Sequence, residues 1–246
     1  GHIWKFITLA YIPPTIAGIV LAYRGKLLAG GILTAFFIAL QIMSNHVQMS
    51  YYFLFVILFI AGAYFEDAWR NKTLPRFFKA SAVLLVAALI GVAANLSNLY
   101  HTYTYSKETM RGKSELVQTG DAAKQTSSGL DRDYITNWSY GIGETWTLLV
   151  PNFKGGSSSA PLSQSETAME KANPMYGSLY NSFPQYFGSQ PWTAGPVYVG
   201  AFVLFLFVLG CFIVKGPLKW ALLGATFFSI VLAWGKNFMP LTDFFI

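Results

Sequence analysis

Six apolar runs, at residues 3–23, 27–43, 49–65, 80–97, 197–214 and 220–234, punctuate the chain. Polar stretches of very unequal length separate them. A helix crossing a bilayer core takes about 20 apolar residues, with a usual range of roughly 17–25. The pattern therefore predicts an all-α polytopic membrane protein with about six transmembrane helices. The shorter runs suffice inside a bundle, where neighbours shield their ends. Residues 1–98 are expected to hold four helices, 99–196 a large extracytoplasmic region, and 197–246 two more helices.

The first run contains Pro13-Pro14, followed by Gly18. Proline removes a backbone donor and clashes with the preceding turn. In a membrane bundle, neighbours or water can re-satisfy the freed carbonyls. A kink is expected there, with Gly18 allowing close helix approach.

The connections alternate in character. Arg24 and Lys26 fill the first, and "SNHVQ" without charge fills the second. Glu66, Asp67, Arg70, Lys72, Arg76 and Lys79 fill the third, and Lys215 and Lys219 flank the fifth. Short-loop lysine and arginine mark the cytoplasmic side. On that rule the second connection and the long fourth one, residues 99–196, face outward.

The long connection far exceeds the roughly 12–15 residues beyond which a loop is usually functional or disordered. "DYITNWSYGIGETWTLLVPNF" is rich in aromatics and can bury surface. "KGGSSSAPLSQSE" has the composition of a mobile stretch. "NPMYGSLYNSFPQYFGSQPWTAGP" concentrates rings that favour the headgroup level. Short helices on the outer membrane surface are the expectation.

Composition agrees with a membrane class: 54% of residues are hydrophobic, 11% are charged, and the mean hydropathy is +0.43. A soluble domain carries about 25% charged residues. The net charge of +6 and pI of 9.3 raise the question of nucleic acid. Its distribution answers no, because residues 99–196 are almost neutral and the basic excess sits in the short loops. That is a topology signal rather than a nucleic-acid footprint. Cys211, the single cysteine, cannot form an internal disulfide. The opening Gly1-His2, without Met, and the closing "MPLTDFFI" read as the ends of a piece of a longer protein.

All three histidines fall at the outward ends of apolar runs: His2, His46 and His101. Lys5 shares the His2 helix face at i,i+3. Polar groups this near hydrocarbon turn toward the protein interior or a wet cavity. Asn45, His46 and Gln48 join them in the outer turn. Three readings stand: helix-end capping, a site for a lipid-linked phosphate, and a histidine metal site. Lysine and protonated histidine supply the donors that an acceptor-only phosphate requires. A metal needs rings converging within about 2.0–2.2 Å of it, and no metal ligands are assigned. Lys107, Arg111 and Glu115 recur at i,i+4, as on one face of an amphipathic helix. That face is either solvated or turned toward a phosphate. Asp131 and Asp133 are either turn residues or a pair able to share a cation. Glu144 sits among aromatics. It is either a buried general base or a carboxylate held by backbone amides.

Several stretches in combination resemble the bacterial YfhO-like membrane protein family, in particular its Bacteroidetes members. They are "GHIWK", "LAYRGK", "NHVQMSYY", "NLYHTYTYSKETMRGKSEL", "SGLDRDYITNWSYGIGETWTLLVPNFKGG" and "GPVYVGAFVLFLFVLG". The resemblance implies a GT-C type glycosyltransferase bundle in the bacterial inner membrane. It implies membrane lipids, a polyprenyl-phosphate sugar donor and a cell-envelope glycan acceptor as partners, and no nucleic acid. In GT-C enzymes the catalytic Asp usually lies in the first outer loop, and in this family that region precedes "GHIWK". The catalytic residue is therefore unassigned. The cofactor is open, with a divalent cation in the full-length protein as one option. A different class, a non-enzymatic lipid-linked sugar or polymer transporter or scaffold, would use the same cavity without a base.

Overall fold

The structure is a computed structural model that describes residues 3–107 and 132–245, with the Lys107 side chain left aside. Among these residues it is all-helical, without strands. Three helical segments are long and apolar enough to cross a membrane: Ile3–Tyr23, Val47–Arg70 and Leu74–Ala93. A fourth is reached if Pro217–Ala233 and Gly235–Phe245, bent by 112°, count as one span. Leu27–Met43 and Ala201–Ile213 are shorter apolar helices. The chain thus has the helices of a membrane protein. It divides into two compact units, Gly1–Gly129 with Lys215–Ala225, and Leu130–Val214 with Thr226–Ile246.

In the first unit the helices are α1 (Ile3–Ala10), α2 (Ile12–Tyr23), α3 (Leu27–Met43), α4 (Val47–Arg70), α5 (Leu74–Ala93) and α6 (Leu96–Lys107). The expected break in the first run occurs at Tyr11, and the prolines occupy the first turn of α2. That is where their missing donors matter least. Gly18 also behaves as expected. A Cβ there would lie 2.9 Å from the Thr34 amide nitrogen, and one at Gly30 2.5 Å from the Ala22 nitrogen. Only residues without side chains let α2 and α3 approach this closely. The pairing of Gly18 with Thr34 and of Ala22 with Gly30 makes the two helices antiparallel.

Alongside α3 runs α5, in parallel register: Gly31 meets Val83, Ile38 meets Gly91, and the Asn95 amide donates to the Ala39 carbonyl at 2.9 Å. Each tight turn spends one residue in the left-handed region: Gly25 at φ 95°, Asn45 at 54° and Lys72 at 55°. Gly and Asn tolerate that conformation, and a lysine rarely does. At the basic end Tyr23 stacks on Tyr64 at 4.6 Å and on Phe77 at 5.4 Å. The buried core is small in volume, with Ile19, Ala22, Ile60 and Ala80 at its centre.

Several helix boundaries differ from the apolar runs. Hydropathy trims charged residues from helix ends, whereas α4 extends to Arg70 and α5 begins at Leu74 with Pro75 in its first turn. Long basic side chains can lie along a helix end with their charge in water. At the other end α5 stops at Ala93 because the chain turns at Ala94 and Asn95 before α6.

In the second unit α7 (Arg132–Thr136) precedes a 3-10 helix at Ile142–Leu148, and α8 (Glu166–Met169) stands among further short 3-10 turns. Then come α9 (Ala201–Ile213) and, after the tail of α10 (Pro217–Ala233), α11 (Met239–Phe245). The start of α9 is set by Gly200 at φ 94°. Of the stretch 154–166, expected to be mobile, residues 154–162 are backbone-bonded to the 183–193 stretch. Phe187 N–H donates to the Lys154 carbonyl at 2.8 Å and Leu162 N–H to the Phe183 carbonyl at 2.7 Å. Gly235, at φ 43°, makes the bend after α10, and the Lys236 amide donates to the Ser139 hydroxyl at 3.0 Å.

Candidate functional site

The α3–α4 turn is built by Ser44, Asn45 and His46. Asn45 supplies the left-handed residue, and His46 is the cap residue of α4. Ser44 is buried, and its hydroxyl donates to the Gln41 carbonyl at 2.5 Å. It also meets the Thr8 hydroxyl of α1 at 2.5 Å. Thr8 lies at i,i+3 from Lys5, so the Lys5 face of α1 is the one that approaches this turn. The contact is made by Thr8 and Ser44, with Lys5 half-buried one turn away.

From the other side α6 closes on the same turn. The Thr102 hydroxyl donates to the Asn45 side-chain oxygen at 3.2 Å. Asn45, His101, Thr102, Thr104 and Tyr105 line an open hollow of about 610 Å³. His101 is exposed and packs edge-on against Tyr100 at 5.8 Å. Gln48 is exposed on the first turn of α4.

Three buried polar atoms around this turn have no hydrogen-bond partner among the described residues: Gln41 Nε2, His46 Nδ1 and Ser50 Oγ. Each such atom costs about 1–3 kcal/mol when left unsatisfied. Gln41 is only 3% exposed, so solvent does not relieve it. A neutral imidazole offers one donor and one acceptor, and an amide nitrogen offers two donors. The turn can therefore bind a group carrying acceptor oxygens. Gln41, Ser44 and Thr8 were not singled out from sequence. For Gln41 and Thr8 the signal is a polar residue inside an apolar run, and Thr8 falls on the Lys5 face of α1 by helical spacing.

Asn95, at the start of the turn before α6, is an interhelical clamp. Its amide donates to the Ala39 carbonyl at 2.9 Å and the Gly91 carbonyl at 3.2 Å. Lys107 ends α6. His2, Arg111 and Asp131 lie outside the described residues, as does Glu115.

In the second unit Glu144 is 2% exposed. One carboxylate oxygen accepts from the Gly141 amide at 2.7 Å. The other accepts from the Ser189 amide at 2.9 Å and from the Tyr186 hydroxyl. Of the two sequence readings, this geometry matches the carboxylate held by backbone amides. It ties the 3-10 helix to the 186–190 segment. Tyr186, also missed from sequence, is pushed up to about 12 by burial and by donating to Glu144. Burial, then the Glu144 charge, raises Tyr140 as well. Gly188 is obligatory, because a Cβ there would collide with both Glu144 and Tyr186. The Gln190 side chain donates to the Trp138 carbonyl at 2.7 Å and completes the knot.

Asp133 is exposed at the start of α7, beside the ion pair of Arg132 with Asp243. Among the described residues no group of three His, Cys, Asp or Glu side chains is placed to hold a metal ion. Comparison with family models, with curated proteins and with solved structures finds no match.

Proposed function

We propose that this chain belongs to a GT-C type membrane glycosyltransferase of the bacterial inner membrane. It takes sugar from a polyprenyl-phosphate donor and modifies a cell-envelope polymer on the outer side. Six segments cross the membrane in this reading: α1 with α2, then α3, α4, α5, α9 and α10. Residues 99–196 are extracytoplasmic. Three of those segments are short: α3 and α10 have 17 residues each, the lower end of the spanning range, and α9 has 13. On α9, Phe202, Phe205, Val208 and Phe212 are all strongly exposed, as lipid-facing side chains would be.

One observation carries the reading. The α3–α4 turn and α6, distant in sequence, bring Asn45 and His101 to one hollow, and His46, the residue after Asn45, has a buried Nδ1 without a partner among the described residues. Basic loops lie at the far end of α3, about 26 Å away along its axis. A polar hollow at one end and lysine and arginine at the other is the polarity that outward-facing chemistry on a lipid phosphate requires. The acceptor hydroxyl would attack the anomeric carbon, and the lipid phosphate would leave. Lys5, His46 and His101 are suited to neutralise it.

The test uses the protein in vesicles with a polyprenyl-linked sugar donor. Sugar release is expected and is expected to fall in His46→Ala. Lys5→Ala should weaken binding of a polyprenyl-phosphate analogue more than Lys124→Ala. Donor binding without sugar release would replace the enzyme with a transporter. Equal affinity in both lysine variants would remove the phosphate site.

A further inference from the structure

Between α3 and α5 lies a second cavity, an apolar groove of about 480 Å³ open along one side. Its floor is made of small residues, with Gly31 and Ala35 on α3 and Ala87 and Gly91 on α5. Its rims are large and exposed: Leu28 at 78% and Ile32 at 61% on one side, Val86 at 56% and Ile90 at 59% on the other. From Leu27 to Ala39 it runs about 18 Å along α3. One leaflet of a bilayer core is about 15 Å deep, half of roughly 30 Å. The groove thus matches a single hydrocarbon chain in one leaflet.

One end of the groove carries charge. Lys26 directly precedes Leu27, and Lys79 lies at i,i+4 from Val83 and i,i+7 from Val86, on the groove-facing stripe of α5. Both lysines are exposed, and neither side chain has an ion pair or hydrogen bond among the described residues. Arg76 is fixed at the same end by donating to the Arg24 carbonyl at 2.9 Å. Because α3 and α5 are parallel, both helix N-termini also point to this end. Each contributes about half a positive charge. The opposite end, at Ala39 and Ala94, is apolar.

We propose that the α3–α5 groove is a binding site for an acidic phospholipid of the leaflet at the basic end. An acyl chain lies between the rims, and the phosphate is held by Lys26 and Lys79. Charge complementarity selects the headgroup, and the groove selects a linear chain. Such a site needs only the membrane setting of the helices and is independent of sugar transfer.

Electron paramagnetic resonance on the 246-residue chain tests this in phosphatidylcholine vesicles. Chain-labelled phosphatidylglycerol and chain-labelled phosphatidylcholine are compared by their motionally restricted fractions. The unaltered protein should prefer phosphatidylglycerol. The double variant Lys26→Gln with Lys79→Gln should lose that preference by roughly fivefold per lysine. Lys72→Gln with Lys215→Gln should keep it. Ala35→Phe, which fills the groove, should lower the restricted fraction of both lipids. An unchanged preference in the Lys26/Lys79 variant would overturn the site, whatever Ala35→Phe does. Absence of any restricted lipid in the unaltered protein would overturn it too, because protein would then cover the groove.

Discussion

Where α2 crosses α3, two helices touch because Gly18 and Gly30 have no side chains, and backbone lies on backbone. Where residues 138–148 meet residues 186–190, the contact centres on a buried carboxylate gathering three donors, with the Gln190 side chain donating to the Trp138 carbonyl beside it. The first unit is held by close packing of apolar surface. The second unit is held by polar groups that satisfy one another. In a membrane, lipid tails are as apolar as leucine, so helices associate through close fit rather than burial from water. A polar segment rich in turns has many backbone groups to satisfy, and a buried glutamate can satisfy several at once. Packing of the first kind fails gradually as atoms are added. A knot of the second kind fails abruptly when its centre is removed.

The sharpest way to break this contrast is Glu144→Ala. It orphans the Gly141 and Ser189 amides and the Tyr186 hydroxyl together, and a loss on the order of 4 kcal/mol is expected. Amide hydrogen exchange should rise across residues 138–190 while α2 and α3 stay protected. Equal deprotection of α2 would show that the two units do not differ in this way. Next in size is Gly30→Val, which drives side-chain atoms into the Ala22 backbone. Overpacking of this kind costs about 1–3 kcal/mol. The thermal midpoint in detergent should drop with no new exchange near Glu144.

Tyr186→Phe is the mildest, at about 1 kcal/mol. It also carries a pH signature. The tyrosine is pushed up to about 12 when folded, against 10 in the open chain. Its stabilising effect is full below pH 10 and is lost as pH rises from about 10 to about 12. Alkaline unfolding of the second unit should be blunted in that window in the Phe variant. The same titration curve in both proteins would remove Tyr186 from the knot.

Sequence reading was strongest where a property repeats or is forced locally. The break near Pro13 and the close approach at Gly18 follow from one residue type each, and both are found. Helix ends were read less well, because hydropathy cannot tell a basic side chain lying along a helix from one in a loop. Arg70, Arg76 and Lys79 all sit inside helices that the apolar runs had cut short. Around the α3–α4 turn, Asn45 and His46 are visible in the sequence as polar residues without charge. Their neighbours Gln41 and Thr8 are hidden by the apolar runs that contain them, and Ser44, within the same connection, carries no sign of its burial against Thr8.

By itself the amino-acid order determined the membrane class, the kinked first segment and the placement of basic residues in short connections. These depend on composition and local sterics, which any fold must respect. Tertiary structure alone decided that α3 and α5 run parallel with an apolar groove between them. It alone decided that Thr8 meets Ser44, and that the Glu144 carboxylate is held by the Gly141 and Ser189 amides. Those are contacts between residues dozens of positions apart, and no local preference encodes which distant donor reaches which acceptor.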